Sequence, residues 1–186
     1  MSVWIWAAIN PYNRFDWLLE NILTFLCAVV LLTTFHRFPM SDISYVQIFA
    51  FLTLHAIGGH YTYSQVPLGF WFGDSLDLHR NHYDRLVHFS FGALLAYPLR
   101  EVILRLVTRK AFFALLFAWS LLLAFSGSYE IIEWLVAIVV DPKAGAAYLG
   151  TQGDEFDAQK DMALAASGAL VTLGLTGLFY AKSKDA

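Results

Sequence analysis

The chain has 186 residues, of which 58% are hydrophobic and 15% charged; a soluble domain carries about 25% charged residues. Its net charge is -3, with no basic block to hold phosphates, which excludes a nucleic-acid partner. The single cysteine, Cys27, excludes an intrachain disulfide framework and a thiolate zinc site.

From the start, Met1 to Tyr12 shows neither the basic head nor the small-residue cleavage pattern of a signal peptide. Trp4, Trp6, Tyr12 and Trp17 instead predict a segment at the membrane interface. Apolar runs of about 20 residues are long enough to cross a bilayer core as helices, and five are read here. The first covers Trp17–Phe35, with Glu20 and Asn21 near its start. The second covers Ile43–Gly59 and ends in the Gly58-Gly59 pair. A third covers Asp84–Val107, with Arg100, Glu101 and Arg105 at its far end. The fourth starts at Ala111, is uncharged to Tyr129, and is open to continuation as far as Val140 past Glu130 and Glu133. The fifth covers Met162–Ala181 and is rich in glycine and alanine, which suits close helix packing. Lipid does not tolerate unpaired backbone, and the runs are too long for barrel strands. The expected fold is therefore all-α: a polytopic integral membrane helical bundle of about five transmembrane helices, forming one domain over residues 1–186. Tyr61–Tyr83 and Asp141–Asp161 are read as long polar loops.

Five spans put the termini on opposite sides. One side holds Arg37, Arg100, Arg105, Arg109, Lys110, Lys182 and Lys184. The other holds Arg14, Arg80, Arg85, Lys143 and Lys160. The tight basic cluster marks the first side as cytoplasmic, so the N-terminus and both polar loops are expected to face outward.

The ionisable residues then gather near the outer face. His55 and His60 end the second span, His79 and His82 lie in the loop, and Asp84 and His88 open the third span. Glu130 and Glu133 lie in the outer part of the fourth, and Asp154, Asp157 and Asp161 lead into the fifth. Asp84 and His88 share a helix face at i, i+4, and Glu130 and Glu133 share one at i, i+3. Carboxylates this close repel unless a counter-charge joins them. A divalent cation meets that need, and imidazole with carboxylate suits zinc, manganese or iron. The candidate ligands are His60, His82, Asp84, His88, Glu133, Asp157 and Asp161, more than one ion requires, and Glu130 is the candidate general base. Several of these groups also have a plainer explanation: packed or solvated histidines, Asp154 as a helix cap, which explains Asp161 poorly, and a salt bridge from Glu130 or Glu133 to Arg85.

Several stretches resemble the YjdF-type family of predicted bacterial inner-membrane proteins. They are His60-Tyr61-Thr62-Tyr63, Val66-Pro67-Leu68-Gly69-Phe70, Arg80-Asn81-His82-Tyr83-Asp84-Arg85-Leu86-Val87-His88-Phe89, Tyr129-Glu130-Ile131-Ile132-Glu133-Trp134, and the run from Gly150 through Asp154, Asp157 and Asp161 to Met162. A fainter likeness, in Asp84-Arg85-Leu86-Val87-His88, reaches the VanZ-like membrane proteins. The resemblance implies an inner-membrane helical protein and names no reaction. The residues support three readings. One is a metal-dependent hydrolase or transferase of a membrane lipid or lipid-linked substrate. The others are a divalent-cation or proton transporter, and a non-catalytic subunit with a structural metal. No Walker loop, Gly-x-Ser-x-Gly or His-Glu-x-x-His is present.

Overall fold

The structure is a computed structural model that describes residues 2–76, 80–140 and 142–182. His79 and Lys184 lie outside the described residues. Among them there are eight α-helices and no strand: α1 (Ser2–Ala8), α2 (Arg14–Thr34), α3 (Asp42–His60), α4 (Pro67–Leu76), α5 (Tyr83–Leu106), α6 (Ala111–Val139), α7 (Pro142–Leu149) and α8 (Asp157–Lys182). Four of them, α2, α5, α6 and α8, have the length and hydropathy of membrane spans. α3 is 19 residues long; Asp42, Gln47, His55 and His60 lower its hydropathy, so it matches the second expected span in length more than in composition.

Both expected polar loops contain helix. α4 occupies the middle of Tyr61–Tyr83, started by Pro67, whose fixed φ suits a first helical position. α7 and the first turn of α8 occupy much of Asp141–Asp161, so the last span begins at Asp157 rather than Met162. The fourth span does continue past both glutamates. α6 has 29 residues, about 43 Å at 1.5 Å per residue, more than the ~30 Å hydrocarbon core. Counted from Ala111, Glu130 stands about 28 Å along it and Glu133 about 33 Å, so both fall near the end of the span.

The chain divides into two compact units. The first comprises Met1–Pro39, Leu52–Val87 and Ile131–Asp157. Its buried residues include Ala7, Trp17, Ala56, Val66, Tyr83, Val87 and Tyr148. Asn13 caps α2, its side chain accepting from the amides of Phe15 and Asp16. α1 is tied to α2 by Trp4 Nε1 donating to Asn21 Oδ1 at 2.7 Å.

The second unit comprises Met40–Phe51, His88–Glu130 and Ala158–Ala186. Its core is Ala96, Ile103, Ala114, Ala118, Leu122, Ala169 and Leu173. Small residues let α5 and α8 approach closely: a Cβ on Gly92 would stand 1.8 Å from the Ala165 carbonyl oxygen, and one on Gly168 would stand 2.2 Å from that of Phe89. Thr172 Oγ1 donates to Ala93 O at 2.7 Å across the same contact. The glycine and alanine content of the fifth span thus serves helix packing, as expected. Glu101 on α5 accepts from the Ser41 amide at 3.0 Å and from the Ser44 hydroxyl at 2.6 Å. It therefore caps the N-terminus of α3 from a neighbouring helix.

Candidate functional site

The sequence-predicted residues fall into two groups, one in each unit. In the first unit, Arg80 and Arg85 clamp two aspartates. Arg80 reaches Asp157 Oδ1 at 2.6 Å and Asp154 Oδ2 at 3.7 Å. Arg85 pairs with Asp154 and lies 3.5 Å from Asp157 Oδ1. Arg80 also donates to Thr151 O at 2.8 Å, and Asn81 and Gln152 exchange two hydrogen bonds at 3.0 Å. Asp154 also accepts from the Phe156 amide at 3.1 Å, a local turn just before α8 rather than a cap on its amides.

This clamp engages part of the expected ligand set. Asp157 is engaged by two guanidiniums. His82 lies with its Nδ1 3.5 Å from Arg85 Nη1; burial lowers its pKa, and the charges of Arg85 and Arg80 lower it further. His60 serves packing: its Nδ1 bonds Ala7 O at 3.0 Å and its ring stacks on Trp6 at 4.5 Å. Arg85 turns to Asp154 and Asp157, which is where the salt bridge expected of it is found.

The first unit also contains a second polar group, built around His55 and Tyr63. His55 Nε2 lies 2.9 Å from Glu20 O, and Tyr63 Oη lies 2.5 Å from His55 Nδ1. A carbonyl only accepts, so Nε2 carries the proton and Tyr63 is the donor to Nδ1. Burial pushes the Tyr63 hydroxyl well above its usual pKa, and the charges of Glu20, Asp84 and Glu133 push it further. Three carboxylates from α2, α5 and α6 therefore bear on one tyrosine. Thr62 and Tyr63 both hold φ at 51°, a left-handed pair costing on the order of 1 kcal/mol per residue. The turn folds the Tyr63 ring back onto Gly58, where a Cβ would meet the ring at 2.5 Å. Glu20 is 5% exposed. An acid inside a span was a signal of the same kind as Glu130 and Glu133, and it pointed to this group.

In the second unit, three helices bring together an imidazole and two acids. His88 on α5 lies with Nε2 3.7 Å from Glu130 Oε1 on α6. His88 and Asp161 on α8 offer ligand atoms within 4.8 Å of each other. Asp161 is 2% exposed. The Tyr129 ring stands edge-on to the imidazole at 6.4 Å. Of the expected ligands, then, His88 and Asp161 are brought together, with Glu130 beside them. Asp84 sits one turn before His88 on the same face of α5, and Glu133 belongs with Glu20 and Asp84 around Tyr63.

The family described as "Predicted membrane protein (DUF2238)" matches residues 1–182. The chain belongs to that family. It is 35% identical over 179 residues to the "Inner membrane protein YjdF" of Escherichia coli (strain K12), covering 96% of this chain and 85% of that one. These matches bear out the YjdF-type resemblance; the VanZ-like one is not shown. No solved structure matches. With α2, α5, α6 and α8 long and apolar enough to cross a bilayer, this member of the family is a multi-pass inner-membrane protein.

Proposed function

We propose that the chain is a metal-dependent membrane enzyme, a hydrolase or transferase acting on a lipid or lipid-linked substrate. The observation that supports this reading is the meeting of His88 and Asp161, with Glu130 3.7 Å from His88. Imidazole with carboxylate and no thiolate suits zinc or manganese. His88 and Asp161 are the two ligands that this group supplies. A divalent ion so held would polarise a phosphoryl or carbonyl oxygen and acidify a bound water. Glu130 is the base that would take the proton, and its place near the end of the span gives it a low-dielectric setting within reach of solvent. On the positive-inside reading this end of the helices would face the periplasm.

Against a transport path, Glu101, the acid near the opposite end of α5, is held as the cap of α3 by Ser41 and Ser44. The test is elemental analysis of protein purified in detergent without chelator. Zinc or manganese should accompany the wild type and Glu130→Gln, and should be lost from His88→Ala and Asp161→Asn. Loss from Glu130→Gln to the same extent would make Glu130 a ligand and remove the proposed base.

A further inference from the structure

α4 is built inside out. Its inward positions are Gly69 and Gly73, both buried, while Leu68, Phe70, Trp71 and Phe72 are exposed, Trp71 by 62%. A helix lying on a protein in water turns its large apolar residues inward and its small or polar ones outward. Here the glycine face lies against the protein so closely that a Cβ on Gly69 would come within 1.7 Å of Asn81 Oδ1. Four large side chains are left pointing away. Asp74, the one charged residue of the helix, and Ser75 are exposed on the same outward side, beside Trp71 near the end of α4.

The ends of α4 say what covers that face. Asn81 Nδ2 donates to Val66 O at 2.9 Å, and Asn81 Oδ1 accepts from the Tyr83 amide at 3.1 Å. The residue before α4 is thereby pinned through one side chain to the first residue of α5. α5 is a membrane-spanning helix that begins at Tyr83, so the start of α4 is held at the level where the chain enters the bilayer. Tryptophan at that level is a side chain that membrane interfaces select, and a short helix that turns large apolar side chains outward with a polar residue at its end suits the interface plane.

We infer that α4 is a membrane-dipping helix whose Leu68-Phe70-Trp71-Phe72 face is buried among the upper acyl chains of the leaflet at which α5 begins. Its partner is the lipid bilayer itself. The same Asn81 bonds Gln152, next to the Arg80 contact at Thr151, so the helix also ties the Arg80/Arg85 clamp to the lipid surface. This inference is independent of any metal.

The test uses tryptophan fluorescence of the full chain in phosphatidylcholine vesicles. Wild type and Trp71→Phe are compared, with bromines placed on the lipid near the glycerol end or near the methyl end of the acyl chains. The emission lost in Trp71→Phe should be quenched most by the shallow bromines and little by aqueous iodide. Trp71 is exposed, so its replacement leaves the core untouched, and Phe70→Trp supplies a gain-of-signal check that should add emission quenched by the shallow bromines. Quenching of the Trp71 emission by iodide and not by lipid would overturn the inference, placing α4 in water. Quenching by neither, with the chain migrating as a dimer, would overturn it in favour of a second copy seated on α4.

Discussion

The Arg80/Arg85 clamp and the His88 group use the same acid chemistry and do different things with it. In the first unit Asp154 and Asp157 meet two guanidiniums, which stay charged at any pH the protein meets. A carboxylate so neutralised holds a loop to a helix start and has little left to offer a cation. In the second unit Asp161 and Glu130 meet an imidazole, which is neutral or charged according to its setting. That is the arrangement to which the proposed ion would add its charge. Asp157 and Asp161 are one turn apart on α8, yet the partner each finds decides its role. Spacing alone does not distinguish a structural carboxylate from a ligand; the neighbouring cation does.

The largest effect expected from breaking this contrast lies in the clamp. Arg80→Ala leaves Asp157, whose side chain is 7% exposed, with one guanidinium fewer. Breaking a buried pair from one side costs about 3–5 kcal/mol, so thermal unfolding in detergent should shift down strongly, and far more than for Glu130→Gln. Equal shifts in the two variants would mean that the clamp is no more structural than the His88 group.

A smaller effect separates the Tyr63 group from both. Tyr63→Phe removes the donor to His55 Nδ1 and leaves a buried acceptor unmet, a cost of about 1–3 kcal/mol. Unfolding should move accordingly, while metal content stays at the wild-type level. Metal loss in Tyr63→Phe would contradict that separation.

The smallest effect is a pH dependence. His82 has a folded pKa below its ordinary value of 6.5, from burial first and then from Arg85 and Arg80. The unfolded chain therefore takes up a proton at higher pH than the folded one. The neutral form's contribution is fully present above pH 6.5 and is lost as pH falls from there toward the folded value. Melting temperatures should decline modestly between pH 7 and pH 5, and His82→Gln should flatten part of that decline. An unchanged slope in His82→Gln would show that other groups carry it.

Much of the fold was legible because membrane spans announce themselves by composition. The third span, Asp84–Val107, agrees with α5 to within one residue at each end, and the small residues of the last span packed as expected. The helices within the two loops leave little trace in the sequence. α4 carries its apolar residues outward, so no inward-facing stripe marks it in Pro67–Leu76. α7 is only 8 residues long, too short for periodicity to show. At the site, His88, Asp161 and Glu130 were visible as ionisable groups near span ends. The engagement of Asp157 with arginine was not, because Arg80 and Asp157 are 77 positions apart (157 minus 80) and only folding pairs them. The role of Glu20 is not legible in the sequence, since the His55–Tyr63 contact that gives it meaning depends on a left-handed turn at Thr62 and Tyr63.

The most direct test of the contrast is the metal content of two neighbouring variants, Asp161→Asn and Asp157→Asn, purified beside the wild type and measured per chain by elemental analysis. The account predicts zinc or manganese in the wild type, its loss in Asp161→Asn, and its retention in Asp157→Asn even where that variant melts earlier. A wild type without metal under chelator-free purification, or a loss of metal from Asp157→Asn as complete as from Asp161→Asn, would contradict it.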